Sequence, residues 1–396
     1  MSRTRIALIF LLALTLASPL AAGAQEYRIG FVSAITGPAS SLGVPERDVA
    51  VMIQKELEAK GGITGPDGKK YPVKLFIHDD ESKADTTVRL VKKLIAEDKV
   101  HVVIASSQSP TSLAVVPVVT EAKMPLISMA SSHAIVTPVK ERFWVFKTPQ
   151  SNIHVSTHQV KYLKAKGYKK IASLYVNDAF GEDSRRGLAT MIKDSGIEVV
   201  YEDKFEQADK DMTPQLTKVK VSGAQALIVH AIPPSASIIT KQFRDLSLTI
   251  PLIHNHGVGN QPFIDLAGGA ADGVIFPIGK MLVAEGLPDA DPQKKVLLDF
   301  VAWYEKGTGK KRSTFAGHAW DALQMAFMAF AKVSPGAPLD QARARIRDEL
   351  EKVKNFAGTG GIFNMSPEDH VGLDERSMLL VRIEGGTWKY LPPEKW

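Results

Sequence analysis

Over residues 102–132 the chain switches twice from an unbroken apolar run to a cluster of hydroxyls. Val102-Val103-Ile104-Ala105 breaks into Ser106-Ser107-Gln108-Ser109-Pro110-Thr111-Ser112. After an apolar-periodic segment at 113–122, Pro125-Leu126-Ile127 breaks into Ser128-Met129-Ala130-Ser131-Ser132. The pattern predicts strand, turn, helix, strand, turn, since strands covered on both faces read as continuous apolar runs. In an open parallel sheet ligands bind beyond the carboxyl ends of the strands, where helix N-termini present free N–H groups. Two hydroxyl-rich turns with no acidic residue suit a small anion such as a carboxylate. The same residue types also serve as plain helix caps and turn formers.

The rest of the chain has the same cadence. A strand is predicted over 27–34, then a helix carrying Val49, Ile53 and Leu57 on one face. A Gly-, Asp- and Pro-rich hairpin follows at 61–70, and a strand at 71–77. Ser82-Lys83-Ala84-Asp85 reads as a capping box for a helix with Val88, Val91 and Ile95 inward. Phe143-Trp144-Val145-Phe146 leads to Thr148-Pro149, a crossing point. Beyond it helices are predicted at 153–166, 183–194, 213–221 and from Pro234, and strands at 171–175, 197–201, 226–230, 252–254 and 274–276. Two runs of strand–helix units predict an α/β protein of two doubly wound parallel-sheet lobes joined by crossover strands. Three helices follow; Trp320, Leu323, Phe327 and Phe330 make a core stripe on the second. Residues 361–390 read as a hairpin turning at Pro367-Glu368-Asp369-His370. The expected division is 25–147 with 278–355 for lobe 1, and 148–277 with 356–396 for lobe 2.

Composition adds a compartment. Residues 1–24 carry Arg3 and Arg5, an apolar run at 6–16 and the small-residue site Ala22-Gly23-Ala24. These are the marks of a secretory signal peptide, and the run is too short to span a bilayer. The formal charge of +6 drops to +4 once the two arginines are removed with it. No Lys/Arg block points to nucleic acid. The 396 residues contain no cysteine, which excludes disulfides, a thiolate nucleophile, a Cys-based zinc site and a lipid anchor at the cleavage point. A monomer free in a periplasm is expected.

The layout resembles the periplasmic solute-binding proteins of ABC importers, in the leucine/isoleucine/valine-binding family with its type I periplasmic binding fold. The likeness is carried by Ile29-Gly30 with Thr36-Gly37-Pro38, the turn Asp79-Asp80-Glu81-Ser82, and Ser109 with Leu113-Ala114-Val115-Val116-Pro117. Further matches are Pro125-Leu126-Ile127-Ser128, Phe180-Gly181-Glu182 and Gly257-Val258-Gly259-Asn260. The resemblance implies two lobes closing on a small ligand and docking on a membrane permease. It implies that Ser109, with Ala130, Ser131 and Ser132, donates to a ligand carboxylate, and that Leu42 and Phe180 wall its apolar part. Two positions depart from the amino-acid binders: His256 stands where an acidic side chain pairs with the α-ammonium, and Ile232 replaces an aromatic residue. A desolvated ammonium without a carboxylate partner is costly. The expected ligand is therefore a carboxylate without an α-ammonium, such as an aromatic or other organic acid. The alternative is a hydrophobic amino acid whose ammonium pairs with Asp178.

An enzyme is not expected. The chain lacks a Gly-x-Ser-x-Gly elbow, a phosphate loop, a His-Glu-x-x-His helix and a Gly-x-Gly-x-x-Gly turn, and Asp79-Asp80-Glu81 reads as a solvated turn. No cofactor is called for. A regulatory sensor shares the fold class, and His230, His254 and His256 are the residues that a metal-binding reading would use.

Overall fold

The computed structural model describes residues 25–396, so the signal-peptide segment lies outside the described residues. The first half runs β1 (Tyr27–Ser33), α1 (Ser40–Lys60), β2 (Ile63–Thr64), β3 (Lys70–Tyr71), β4 (Val73–Asp79), α2 (Ala84–Ala96), β5 (Val102–Ala105), α3 (Ser109–Glu121), β6 (Leu126–Ser128) and β7 (Val145–Lys147). The second runs α4 (Asn152–Ala165), β8 (Lys170–Val176), α5 (Ala179–Ile192), β9 (Glu198–Phe205), α6 (Thr213–Val221), β10 (Ala226–His230), α7 (Ser235–Asp245), β11 (Leu252–His254), α8 (Gln261–Ala267) and β12 (Ile275–Gly279). The remainder is α9 (Lys294–Thr308), α10 (Thr314–Phe330), α11 (Leu339–Glu351), β13 (Phe356–Ala357), β14 (Ile362–Phe363), β15 (Met378–Glu384) and β16 (Thr387–Tyr390).

Five strands form a parallel sheet in the order β4-β1-β5-β6-β7, and seven form a second in the order β16-β15-β12-β11-β10-β8-β9. The second is parallel except where β15 and β16 run antiparallel at its edge. β5, β6 and β10 are buried along their whole length, as their unbroken apolar sequences require. This is the doubly wound α/β architecture that the resemblance implies, and the chain passes between the halves after β7, after β12 and again before β15.

α10 and α11 return to the first half. Arg343 of α11 donates to the carbonyl of Val100 before β5, and the buried Tyr27 of β1 stacks on Phe330 of α10 with ring centres 4.6 Å apart. The hairpin β13–β14 also lies on this side: Phe356 stacks on Trp320 at 6.3 Å. The fully buried Asp321 accepts from the N–H groups of Thr359 and Gly360, both at 2.7 Å. The last passage to the second sheet therefore comes after Phe363 rather than at residue 356.

Three local expectations are corrected. The capping box at Ser82 is not formed: Ser82 sits at φ +60 and donates to the carbonyl of Thr36, while α2 starts without a side-chain cap. The buried face of α2 is Thr87, Leu90, Val91 and Leu94, with Val88 and Ile95 only partly covered. The C-terminal hairpin turns at Gly385-Gly386, both at positive φ, between the paired Glu384 and Thr387. That two-residue loop suits the twist of the flanking strands, whereas Pro367–His370 only makes a short bridge between Ser366 and Asp369.

Candidate ligand-binding site

Residues of both halves line a cavity between them. Of the residues singled out from sequence, Leu42, Ser109, Ala130, Ser131, Phe180, Ile232 and His256 line it, as does Asp178. Ser132 does not.

The two apolar walls are built the same way. Leu42 is followed by Gly43, and a Cβ on Gly43 would lie 2.1 Å from the carbonyl oxygen of Ala34. Phe180 is followed by Gly181, whose Cβ would lie 1.9 Å from the carbonyl oxygen of Val176. In each half, glycine lets the first turn of a helix press onto the chain leaving the preceding strand. That approach fixes the residue before it at the cavity wall. Asp178 caps the second of these helices: its Oδ1 accepts from Phe180 N (2.8 Å) and Gly181 N (3.0 Å). Burial pushes its carboxyl pKa upward against those two bonds.

The hydroxyl-rich turns are mostly structural. Ser106 bonds the carboxylate of Asp80, and Ser107 bonds Glu46. Asp80 and Glu46 are fully buried, so Asp80 belongs to the interior and not to a solvated turn. Burial raises both carboxyls' pKa values, Glu46 far above the usual carboxylate range. Ser112 ties Ser106 N to the Ser128 hydroxyl. The amide of Ala130 goes to Ser128 Oγ at 3.1 Å, and Ser132 caps its own turn through Ala134 N.

What is left for a ligand is the hydroxyls of Ser109 and Ser131 and the side-chain amide of Gln108, whose Oε1 has no partner. Ser109 opens α3 after the extended Gln108, which supplies no side-chain cap. Its Oγ accepts the N–H of Ser132 at 3.2 Å, which leaves the hydroxyl proton free to donate. Among the described residues, the N–H and hydroxyl of Ser131 have no partner. The expected anion cradle thus narrows from four residues to two, because the other donors are spent on the fold.

Behind this cradle lies Lys147, fully buried at the end of β7. Its ammonium donates to the carbonyls of Ser131 (3.0 Å) and Pro149 (2.7 Å), both cavity-lining residues. Burial pushes its pKa down to about 7, opposed by the charges of Asp183 and Asp369. Nothing in the 102–132 pattern indicated it, since an apolar strand ending in lysine normally exposes that lysine.

The cavity also carries residues that sequence reasoning missed. His318 and Phe315, on the first turns of α10, line it together with His256 and Phe180. The Phe180 and His256 rings lie 6.2 Å apart, and those of Phe315 and His318 lie 5.9 Å apart. The α10 sequence shows an apolar stripe but does not mark which end meets the cleft. Burial pushes both imidazoles down to about 3, so they are neutral near pH 7. His230 and His254 are fully buried away from the cavity, and His254 bonds Thr240 at 3.0 Å. The three histidines of the metal reading therefore do not gather. Among the described residues no group of three His, Asp or Glu is placed to hold a metal ion.

The halves also touch directly beside the cavity. His133 N donates to Asp183 Oδ2 (3.0 Å), Asn260 Nδ2 to the Ser41 carbonyl (3.4 Å), and Thr314 Oγ1 to the Gly259 carbonyl (3.3 Å). No described helix is long and apolar enough to cross a membrane.

The family described as periplasmic binding protein matches residues 26–387. Among curated proteins, the chain is 22% identical over 323 residues to the leucine-specific-binding protein of Salmonella typhimurium strain LT2, covering 80% of this chain and 82% of that one. Among solved structures, an extracellular ligand-binding receptor from Rhodopseudomonas palustris HaA2 is 30% identical with a TM-score of 0.84, covering 92% of this chain and 99% of the other. A solute-binding protein of an ABC transporter from Rhodopseudomonas palustris BisB5, solved with 3,4-dihydroxybenzoic acid, has the same fold at a TM-score of 0.77. It is 24% identical, over 92% of this chain and 96% of its own.

Proposed function

Because this chain belongs to the periplasmic binding protein family, in its leucine/isoleucine/valine-binding branch, we infer that its cleft captures a small aromatic acid and delivers it to an ABC permease. The observation that carries this reading is the make-up of the cavity lining. It offers donors, the Ser109 hydroxyl and Ser131, backed by the buried Lys147, together with Phe180, Phe315 and two neutral imidazoles. The donors suit an anion and the aromatic side chains suit a ring. Where an amino-acid binder needs a carboxylate for the ammonium, His256 offers none. The neighbour that holds 3,4-dihydroxybenzoate supports the same ligand class.

One observation favours a second reading. Asp178 lines the cavity, and only its Oδ1 is committed to the helix cap. A hydrophobic amino acid with its ammonium on Asp178 Oδ2 is the alternative. Both readings take the protein to be exported by residues 1–24 and to work as a monomer in the periplasm.

Mass spectrometry of the ligand that copurifies identifies the class directly. Isothermal titration with leucine, phenylalanine, benzoate and hydroxycinnamates complements it. Tight leucine binding with no response to aromatic acids refutes the first reading.

A further inference from the structure

The two imidazoles that line the cavity have a bonding requirement that the fold leaves open. His256 and His318 are each 5% exposed, and each keeps Nδ1 buried with no hydrogen-bond partner. They come from opposite halves, one from the turn after β11 and one from α10, and each stands beside a phenylalanine ring. The ring nitrogens of His318 have no hydrogen bond among the described residues, and its carbonyl accepts from Thr148 Oγ1 at 3.0 Å. Leaving buried polar atoms unpartnered is expensive, and native structures rarely do so without a functional reason.

We propose that His256 and His318 read a hydroxyl on the ligand's ring, so that the preferred cargo is a hydroxylated aromatic acid and not the unsubstituted acid. The inference rests on the aromatic-acid reading of the cavity and specifies what the ring must carry. A neutral imidazole has one donor and one acceptor nitrogen. A hydroxyl is donor and acceptor at once, so it satisfies either tautomer from either side. A second carboxylate only accepts, so it serves donor nitrogens alone, and its charge is costly to desolvate in a buried site without a cationic partner. A bare ring edge offers nothing and leaves both Nδ1 atoms unpartnered in the closed cleft. The placement also makes the hydroxyl a clamp: bonding to His256 and His318 spans the two halves, and such differential contacts are what shift a hinged protein toward its closed state.

The test is isothermal titration of the mature chain with benzoate, 4-hydroxybenzoate, 3,4-dihydroxybenzoate and terephthalate. The hydroxylated acids are expected to bind about 10- to 100-fold more tightly than benzoate, the range that follows when a polar site meets an analogue lacking its partner. In His256→Leu and His318→Leu the ratio of hydroxylated-acid to benzoate affinity shrinks to a few-fold. His318→Gln, which restores a donor and an acceptor, recovers part of it. Benzoate or terephthalate binding as tightly as the hydroxylated acids to the unaltered protein overturns the inference, with no variant needed. So does a leucine variant that keeps the full preference. A protein that binds leucine and none of the four acids fails earlier, at the aromatic-acid reading, and the inference falls with it. Benzoate binding without hydroxyl preference sinks the inference alone.

Discussion

Ser109 is asked to do two jobs, and replacing it by alanine separates them. Its Oγ accepts the N–H of the fully buried Ser132 at 3.2 Å, and its proton is free for the ligand carboxylate. The first loss acts on the empty protein: a buried amide without an acceptor costs about 1–3 kcal/mol of stability. The second acts on binding: a hydrogen bond to a charged group contributes about 1.5–3 kcal/mol, or roughly 10- to 150-fold in Kd. Ser112→Ala is the matched control. Its hydroxyl also joins two buried groups, Ser106 N and Ser128 Oγ, but it does not line the cavity. Urea denaturation and titration with 3,4-dihydroxybenzoate, run on both variants, read the two effects apart. Both are expected to lose stability, and only Ser109→Ala to lose affinity. Unchanged affinity in Ser109→Ala, or an equal affinity loss in Ser112→Ala, refutes the assignment of the cradle.

Gly43→Ala places a methyl group 2.1 Å from the Ala34 carbonyl oxygen and is expected to cost at least about 3 kcal/mol. Gly269→Ala, where a Cβ meets nothing within 4 Å, stays within about 0.5 kcal/mol; chemical denaturation of the pair checks the contrast. Acid should destabilise the protein through its buried imidazoles. His230 is pushed by burial from 6.5 to about 3. Its contribution is therefore complete above pH 6.5 and is lost as pH falls toward 3, at up to about 1.4 kcal/mol per pH unit. His254, His256 and His318 act in the same sense. Asp321, raised to about 7, acts in the opposite one: its contribution is present below 3.8 and lost as pH rises through 7. Tm is expected to fall between pH 6.5 and 4.5, and His230→Leu, which removes two unpartnered buried nitrogens, to flatten that slope. Parallel Tm–pH curves for the variant and the parent exclude the explanation.

The alternation of apolar runs and turns was enough to read the fold, because strands buried on both faces have a sequence that little else produces. Boundaries inside such runs, as at β5, β6 and β10, are set by backbone hydrogen bonding to the neighbouring strands. Chemistry at the turns was harder to read. Ser106, Ser109 and Ser112 are the same residue type within seven positions, yet only Ser109 keeps a free proton, because Asp80 and Ser128 claim the others. Those claims come from segments up to 26 positions away. Glu46 reaches Ser107 across 61. His318 was invisible for a related reason: its helix returns to the first half from the last third of the chain, and no local pattern announces which turn abuts the cleft. The turn at Gly385-Gly386, by contrast, carried a local signal, two glycines between alternating strands, that the longer Pro367–His370 segment obscured.

The paired glycines behind Leu42 and Phe180 bear on how such a protein can be retuned. Side chains at 42 and 180 project from backbones whose positions are dictated next door, so their size and polarity are open to exchange while their location is not. A library aimed at new cargo has its freedom at those two positions and at 232, 256, 315 and 318. Diversity spent on 43 or 181 yields only misfolded clones.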